Sequence, residues 1–377
     1  MPDNPTPFAT ARLESLDVFR GVTIAGMILV NNPGTWEHIY WPFEHAQWHG
    51  WTPTDLVFPF FLFAVGVAIA LAFGRYAETG GSRRNLYLKL IKRSLIIFAI
   101  GLFLNGFPYF GLAEFRIPGV LQRIAICYFF ASLIFLNTKV RTQVTIAIGL
   151  LLVYWFIVKV IPAPGFAAGD LTKEGSLPSF VDRVVFGNHV WAHAKVYDPE
   201  GLLSTIPALA TTLIGVLTGS WLRANKSPQE KVAGMFAIGA ICIALGWSWN
   251  SFFPINKALW TSSYVLFSGG LALQFLGLCY WAIDIRGYRR WAKPFEVFGV
   301  NAIALYVGSW VMAVLLEVFT VTGANGLKIP LGSWIYNNLF ASWASPNNAS
   351  LAFAIAFVLV WLGLMWILYS RKIFIKI

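Results

Sequence analysis

Long apolar stretches alternate with short polar segments along this chain, and the charged residues gather in those segments. Each stretch is long enough, with its flanks, for a membrane-crossing helix, which needs about 20 residues. The alternating segments typical of a membrane β-barrel are not seen. The pattern predicts an all-α, polytopic membrane protein in which residues 1–377 form one domain. The ten predicted transmembrane helices span residues 18–31, 55–73, 94–107, 119–136, 143–161, 203–221, 232–249, 259–283, 295–317 and 350–370.

Composition agrees with a membrane protein. Hydrophobic residues make up 57% of the chain and charged residues only 12%, against about 25% charged residues in a soluble domain. The net charge of +11 is the excess of Lys and Arg that cytoplasmic loops carry, so no nucleic-acid partner is expected. Cys127, Cys242 and Cys279 lie far apart in apolar stretches and are interpreted as packing residues. The first 20 residues lack the apolar core of a cleavable signal peptide.

Basic residues indicate the orientation of the helices. With the N-terminus inside, most of the 28 Lys and Arg residues fall in cytoplasmic segments, and an even number of crossings returns the C-terminus to the same side. Both termini are therefore predicted to be cytoplasmic. The predicted extracytoplasmic loops are 32–54, 162–202 and 318–349, and the aromatic residues of the last two favour ordered, functional loops over disorder.

Titratable groups crowd the start of the second apolar stretch, in the sequence FEHAQWHGWTPTDLVFPFFLF at residues 43–63. His45 and His49 come shortly before Asp55, which begins the predicted helix. A carboxylate that binds one imidazole nitrogen orients the ring and raises the basicity of the other nitrogen. One of these histidines is therefore a candidate general base with Asp55 as its partner.

Two other interpretations of the same stretch stay open. The histidines, together with Trp48 and Trp51, could belong to an aromatic belt at the membrane interface. A zinc site that includes His38 is disfavoured, because Pro42 and Gly50 interrupt the helix that would align three histidines. No metal is expected.

The first predicted helix ends in NNPG at residues 31–34, where Asn and Pro-Gly are typical of a turn. The carboxamide of Asn31 or Asn32 could instead donate a hydrogen bond to a reacting carbonyl and stabilise the oxyanion that develops there.

Three arginines are candidates for binding an anion. Arg20 lies in LDVFRG at the inner end of the first helix, and Arg93 lies in a basic cytoplasmic segment. Arg123, in RIPGVLQR, falls within the fourth predicted helix, where a charge usually faces a cavity or a partner. Snorkelling of Arg123 to the outer surface and a local Asp17–Arg20 ion pair are the structural alternatives.

Two outer motifs carry further charges. Asp198 and Glu200 lie in YDPEG, and Lys257 lies in PINKALW. Both motifs lie where a predicted helix begins on the outer side of the membrane. These residues could cap helices or bind a substrate.

Taken in order, the motifs LDVFRG, HAQWHGWTPTDLVFPFFLFAVG, RIPGVLQR, YDPEG, INKALW and RKIFIKI resemble the heparan-α-glucosaminide N-acetyltransferase family, including its bacterial members. The resemblance implies a transmembrane acetyltransferase that uses cytoplasmic acetyl-CoA and acetylates a glucosamine amine on the far side of the membrane. It implies His45 as the catalytic residue and Asn31 as an active-site group. It also implies that the protein lies in the inner membrane of a bacterium. The chain is expected to carry only the membrane core of the family, which leaves a polymer substrate open.

The remaining roles are expectations. Asp55 is expected to orient His45, and Arg20, Arg93 and Arg123 are expected to contact acetyl-CoA. The residues expected to bind the amino sugar are Trp48, Trp51, Asp198, Glu200 and Lys257. Direct transfer and an acetyl-histidine intermediate both stay open, as does a homodimer. A transporter of amino sugars or cell-wall sugars is the alternative function, and a scaffold subunit leaves the polar groups near residues 31–55 unexplained.

Overall fold

A computed structural model describes residues 13–78, 83–111, 113–323 and 326–375. These residues are mostly helical, as predicted, and the small sheet among them has two antiparallel strands. The helices are α1 (Glu14–Asn31), α2 (Val57–Glu78), α3 (Arg83–Gly106), α4 (Val120–Asn137), α5 (Val140–Val160), α6 (Leu177–Phe186), α7 (Thr205–Arg223), α8 (Pro228–Trp249), α9 (Ser262–Cys279), α10 (Lys293–Val300), α11 (Ala302–Val318), α12 (Leu331–Leu339) and α13 (Pro346–Ser370). The strands are β1 (Thr320–Thr322) and β2 (Lys328–Pro330).

The helices have the character of a polytopic membrane protein. Within the described ranges, seven are long and apolar enough to cross a membrane, or eight if the bent pair α10 and α11 is one span. Two further helices, α1 and α3, are as long but carry clusters of charged residues toward one end. Each of the ten predicted crossings falls largely on a helix. The number of crossings and the side of the termini stay predictions.

The ninth predicted crossing is not one straight helix. It consists of α10 and α11, which meet at an angle of 85° around the buried Asn301. The carboxamide of Asn301 donates to the carbonyl of Ile373 and accepts from the amide of Ile375, at 3.0 and 2.9 Å. Irregular backbone of this kind is tolerated in a membrane where protein covers it. Apolar periodicity predicted the span but not the bend.

Glycines bring the site-bearing helices into close contact with their neighbours. A Cβ on Gly66 of α2 would lie 2.0 Å from the carbonyl oxygen of Thr212 in α7. One on Gly21 of α1 would lie 1.7 Å from the carbonyl oxygen of Phe295 in α10. Small residues allow membrane helices to pack this closely. The helix that ends at Asn31 and the helix that follows Asp55 are thereby held in place.

A buried aromatic cluster lies next to the turn that carries Asp55. Trp260 contacts Phe58 and Tyr264 edge to face, with ring centroids 5.1 and 5.3 Å apart. Its indole nitrogen donates to Thr211 at 3.1 Å. Edge-to-face aromatic pairs add to the stabilisation from burial. The cluster joins α2, α7 and α9 into a rigid floor for the segment that carries His45.

Candidate active site

The carboxylate of Asp55 is fixed by the start of its own helix. Thr52 precedes Pro53 and a short 3-10 turn, and its backbone amide and hydroxyl donate to Asp55 Oδ2 at 3.0 and 3.2 Å. The amide of Ala46 donates to the same oxygen at 3.0 Å. This reciprocal arrangement is a capping box with Asp in the position of the acidic residue. Asp55 is 1% exposed and has little freedom to move.

Asp55 holds the ring of His45. The distance from Asp55 Oδ1 to His45 Nδ1 is 2.7 Å. An ionised carboxylate can only accept a hydrogen bond, so Nδ1 carries the proton and Nε2 carries the lone pair. The hydroxyl of Tyr264 donates to the Asp55 carbonyl and attaches this turn to α9. The structure therefore pairs His45 with Asp55 in the orientation that general-base chemistry requires.

Lys257 is the third member of this cluster. Its Nζ lies 3.2 Å from His45 Nδ1, 3.3 Å from His45 Nε2 and 3.8 Å from Asp55 Oδ1. Asn256 shapes the turn that presents it, donating to the Trp48 carbonyl and accepting from the Leu259 amide, both at 2.8 Å. Burial lowers the pKa of Lys257, although Asp55 and Glu200 act in the opposite direction.

The cluster opens on a cavity of about 370 Å³, called the reaction cavity here. His45, Lys257 and Asn31 line it together with Arg116 and Glu200. An adjoining outer cavity of about 470 Å³ also reaches Asn31. The residues lining both cavities are Met27, Asn31, Trp36, His193, Tyr306 and Trp310. Within the described ranges, the side chain of Asn31 forms no hydrogen bond, so its amide is available to a ligand.

Arg116 is locked by two carboxylates on the far wall. Its Nε and Nη2 donate to Asp198 at 2.9 and 2.6 Å, and Nη2 also donates to Glu200 Oε2 at 2.6 Å. Burial alone lowers the pKa of Arg116, but Asp198 and Glu200 outweigh burial and raise that pKa above its ordinary value. Paired charges of this geometry are strong and directional. Asp198 lies behind the wall, where it holds Arg116, while Arg116 and Glu200 face the cavity.

The YDPEG turn that presents Glu200 is supported from below by Asp182. Its Oδ1 accepts from the Leu202 amide at 2.8 Å. A Cβ on Gly201 would lie 1.9 Å from Asp182 Oδ2, so the turn requires glycine there. Burial raises the pKa of Asp182 to about 7.

A separate cavity of about 230 Å³ contains Arg20 and Arg93, and it is called the inner cavity because the predicted topology places these arginines toward the cytoplasm. Arg20 lies 3.8 Å from Asp17, and the guanidinium of Arg93 lies 4.9 Å from the centre of the Tyr128 ring. The same five helices, α1, α2, α3, α4 and α11, line this inner cavity and the reaction cavity. The paired lining residues are Phe61 and Phe58, Ile97 and Gly101, Ile124 and Leu121, and Ile303 and Tyr306. Since each pair is about one helical turn apart, the two cavities are separated by roughly 5 Å along the helices.

Several residues predicted for the site lie away from both cavities. Arg123 is 1% exposed and donates to Ser204 and to the Gly201 carbonyl, with its guanidinium 5.0 Å from the Trp260 ring. Trp48 donates to the Leu171 carbonyl at 2.7 Å, and Trp51 packs on Phe267. Arg123 therefore supports the YDPEG turn, and the two tryptophans brace the loop that carries His45.

The two other histidines of the opening stretch also lie elsewhere. His49 contacts Asn256, and burial lowers its pKa. His38 lines a different, small cavity. Among the residues that the structure describes, no three His, Cys, Asp or Glu side chains are grouped to hold a metal ion.

Sequence reasoning missed several lining residues. The motif RIPGVLQR was singled out, but Arg123 was selected from it rather than Arg116. The loop motif HVWAHA contains Trp191 and His193, and α11 supplies Tyr306 and Trp310. A pattern of aromatic and titratable residues in a loop gives no sign of which cavity it reaches. Only the folding of residues 162–202 over α4 and α11 brings them together.

The family follows from comparison with known proteins. A family model described as heparan-alpha-glucosaminide N-acetyltransferase, catalytic, matches residues 12–253. The chain belongs to this family. It is 30% identical to the human heparan-alpha-glucosaminide N-acetyltransferase and 28% identical to that of Mus musculus, in each case over 97% of this chain. The chain spans about 60% of the length of these curated relatives. The matched range includes Asn31, His45, Asp55 and Glu200, and Lys257 lies just beyond it.

Proposed function

We propose that this protein is a transmembrane N-acetyltransferase. It moves an acetyl group from cytoplasmic acetyl-CoA to the amine of a glucosamine-type sugar on the outer side of a bacterial inner membrane. The observation that carries the proposal is the His45–Asp55 pair at the wall of a cavity that Asn31 also lines. Membership of a family described as N-acetyltransferase supports acetyl transfer as the reaction.

The inner cavity suits the donor. The phosphates of acetyl-CoA are anionic, and Arg20 and Arg93 are positioned to attract them. Phe61 lines the inner cavity, and Phe58, one helical turn away on α2, lines the reaction cavity. The long, thin pantetheine arm would pass between α2, α3, α4 and α11 to join the two cavities. The acetyl group then reaches the reaction cavity while the nucleotide stays near the cytoplasm.

The chemical step uses groups that are already oriented. The acceptor amine attacks the thioester carbonyl, and Nε2 of His45 takes the proton that the amine loses. Asp55 stabilises the imidazolium that results. The amide of Asn31 donates to the oxyanion of the tetrahedral intermediate. When that intermediate collapses, the carbon–sulfur bond breaks and the His45 imidazolium gives its proton to the CoA thiolate, which leaves as the thiol toward the cytoplasm. An acetyl-histidine intermediate uses the same lone pair as a nucleophile.

The full chain in proteoliposomes tests this proposal. We expect acetyl-CoA and glucosamine, supplied on opposite sides of the membrane, to yield N-acetylglucosamine detectable by mass spectrometry. His45→Gln should reduce the rate by about 10²- to 10⁴-fold, because it removes the general base. His49→Gln is the matched control and should stay near the wild-type rate, since His49 does not line the cavity.

Two results would overturn the proposal. One is a His45→Gln variant as active as the wild type. The other is accumulation of unmodified glucosamine in vesicles that neither bind nor consume acetyl-CoA, which would favour the transporter instead.

A further inference from the structure

The basic side chains of Arg116 and Lys257, on the wall of the reaction cavity, are already engaged by carboxylates. Arg116 makes three hydrogen bonds to Asp198 and Glu200. Lys257 lies 3.8 Å from Asp55 and is also close enough to Glu200 to feel its charge. In the described part of the wall, a sulfate or carboxylate of a ligand would meet no Lys or Arg that lacks an anionic partner. Binding such a group would require one of these pairs to break.

Negative charge, by contrast, is available to a ligand. Glu200 Oε2 accepts from Arg116, whereas Oε1 accepts no hydrogen bond from the described residues. Glu317 lines the adjoining outer cavity, is exposed, and forms no ion pair within the described ranges. The two cavities share a wall, so a ligand that spans them meets both carboxylates.

The other charged groups near the two cavities do not reverse this excess of available negative charge. Arg123 lies behind Glu200, but it is buried, lines neither cavity, and bonds through Nη2 to Ser204 and the Gly201 carbonyl. Asp182 lies beside it as a further carboxyl group. The carboxyl end of α1 and the amino end of α4 both reach the cavity, and their partial charges oppose each other. His193 lines both cavities and adds positive charge only when it is protonated.

We propose that the acceptor is a cationic amino sugar that carries neither sulfate nor carboxylate near its amine. This inference rests on the proposed acetyl transfer and specifies its substrate class. Glu200 and Glu317 attract the ammonium group, and the aromatic side chains of Trp191, Trp310 and Tyr306 offer faces and edges to the sugar ring. The bound ammonium first releases one proton to solvent, and the neutral amine attacks the thioester. The proton that the nitrogen loses after the attack passes through His45 to the departing CoA thiolate. An added sulfate raises the free energy of binding because it brings like charge against these carboxylates.

A comparison of three acceptors at one neutral pH tests the inference. The full chain in proteoliposomes receives acetyl-CoA with glucosamine, glucosamine 6-sulfate or the disaccharide of two glucosamines. We expect kcat/KM for the sulfated sugar to be at least about tenfold below that for glucosamine. The dicationic disaccharide should match or exceed glucosamine. Equal or higher kcat/KM for the sulfated sugar would overturn the inference while leaving acetyl transfer intact, whereas acetylation of none of the three would contradict the proposed function itself.

Two variants test which carboxylates cause the preference for glucosamine over glucosamine 6-sulfate. Glu317→Gln should raise KM for glucosamine a few-fold and narrow the preference over glucosamine 6-sulfate, since it removes one of the two carboxylates. Glu200→Gln should act in the same direction, provided that its melting temperature shows that the Arg116 pairs survive. Glu37→Gln is the matched control, because Glu37 lies in an outer loop and lines neither cavity. A preference unchanged in Glu317→Gln and in a stably folded Glu200→Gln would contradict the inference.

Discussion

The reaction cavity and the inner cavity hold their charged groups in different ways. At the reaction cavity, the Asp55 carboxylate takes part in four hydrogen bonds and the Arg116 guanidinium in three. At the inner cavity, Arg20 and Arg93 stand among otherwise mostly apolar side chains. Acetyl transfer depends on geometry within fractions of an ångström, which such networks impose. Holding the phosphates of a long, flexible donor needs charge more than precise direction, so the inner cavity can be simpler.

The largest loss of activity is expected from a substitution at the reaction cavity, the more rigid of the two regions. Asp55→Asn keeps the size of the side chain, but its amide would donate to His45 Nδ1 and leave the ring proton on Nε2. His45 would then lack the lone pair that accepts the proton of the amine, and kcat should fall by about 10²- to 10⁴-fold. KM for acetyl-CoA should hardly change, because Asp55 lies outside the inner cavity. Steady-state kinetics of the purified chain measure both values.

Asp170→Asn is the control for that experiment. Asp170 lies in the loop between α5 and α6, accepts hydrogen bonds from Thr172 and lines neither cavity. The Asp170→Asn variant should therefore be as active as the wild type. An Asp55→Asn variant within threefold of the wild-type kcat would show that the His45–Asp55 contact is structural only.

Changes at the inner cavity should affect donor binding alone. Arg20→Gln and Arg93→Gln should each raise KM for acetyl-CoA by about tenfold, the effect of losing roughly 1.4 kcal/mol of binding free energy. KM for glucosamine should stay the same, since neither arginine lines the reaction cavity. Arg141→Gln, at the exposed start of α5, is the matched control. Equal changes in both KM values would mean that the two regions do not divide the work in this way.

The two regions also differ in how far the sequence predicted them. The His45–Asp55 pair could be found because both residues lie in one short stretch, in which Asp55 begins the predicted helix. The positions of the helices followed from apolar runs in the same way. Arg116, Trp191 and Trp310 come from three distant segments, and no local pattern says that they share a wall. The 85° bend at Asn301 depends on hydrogen bonds to residues more than 70 positions away, so it could not be predicted either.

Lys257, beside His45 at the reaction cavity, is expected to affect the pH dependence of kcat/KM. Its ammonium lies 3.3 Å from His45 Nε2 and disfavours a second positive charge on the imidazole. Lys257→Met should therefore change the pH profile of kcat/KM, because it removes this charge from beside the imidazole. Because burial lowers the pKa of Lys257, the ammonium loses its charge at a lower pH than an exposed lysine. Any alkaline limb that this loss causes should lie below the ordinary lysine range.

Lys257→Arg is the informative partner of that variant. Its guanidinium stays charged across the whole range, so an alkaline limb that Lys257 causes should disappear. Superimposable pH profiles for the wild type and Lys257→Met would exclude an electrostatic role for Lys257.

The smallest expected effect concerns the boundary between the two regions, at Gln122. This side chain lines the reaction cavity and is buried, and its Nε2 has no hydrogen-bond partner among the described residues. Gly101 and Gly119 lie so close that a Cβ on either would come within 2.4 or 2.7 Å of Gln122 Oε1.

The amides of a pantetheine arm passing this point need hydrogen-bond partners. Gln122→Leu should therefore raise KM for acetyl-CoA by about three- to tenfold, the worth of one net hydrogen bond. The same variant should melt at a slightly higher temperature without acetyl-CoA, because it removes a buried polar group that lacks a partner. A loss of both affinity and stability would instead mean that Gln122 only supports the packing of α3 against α4.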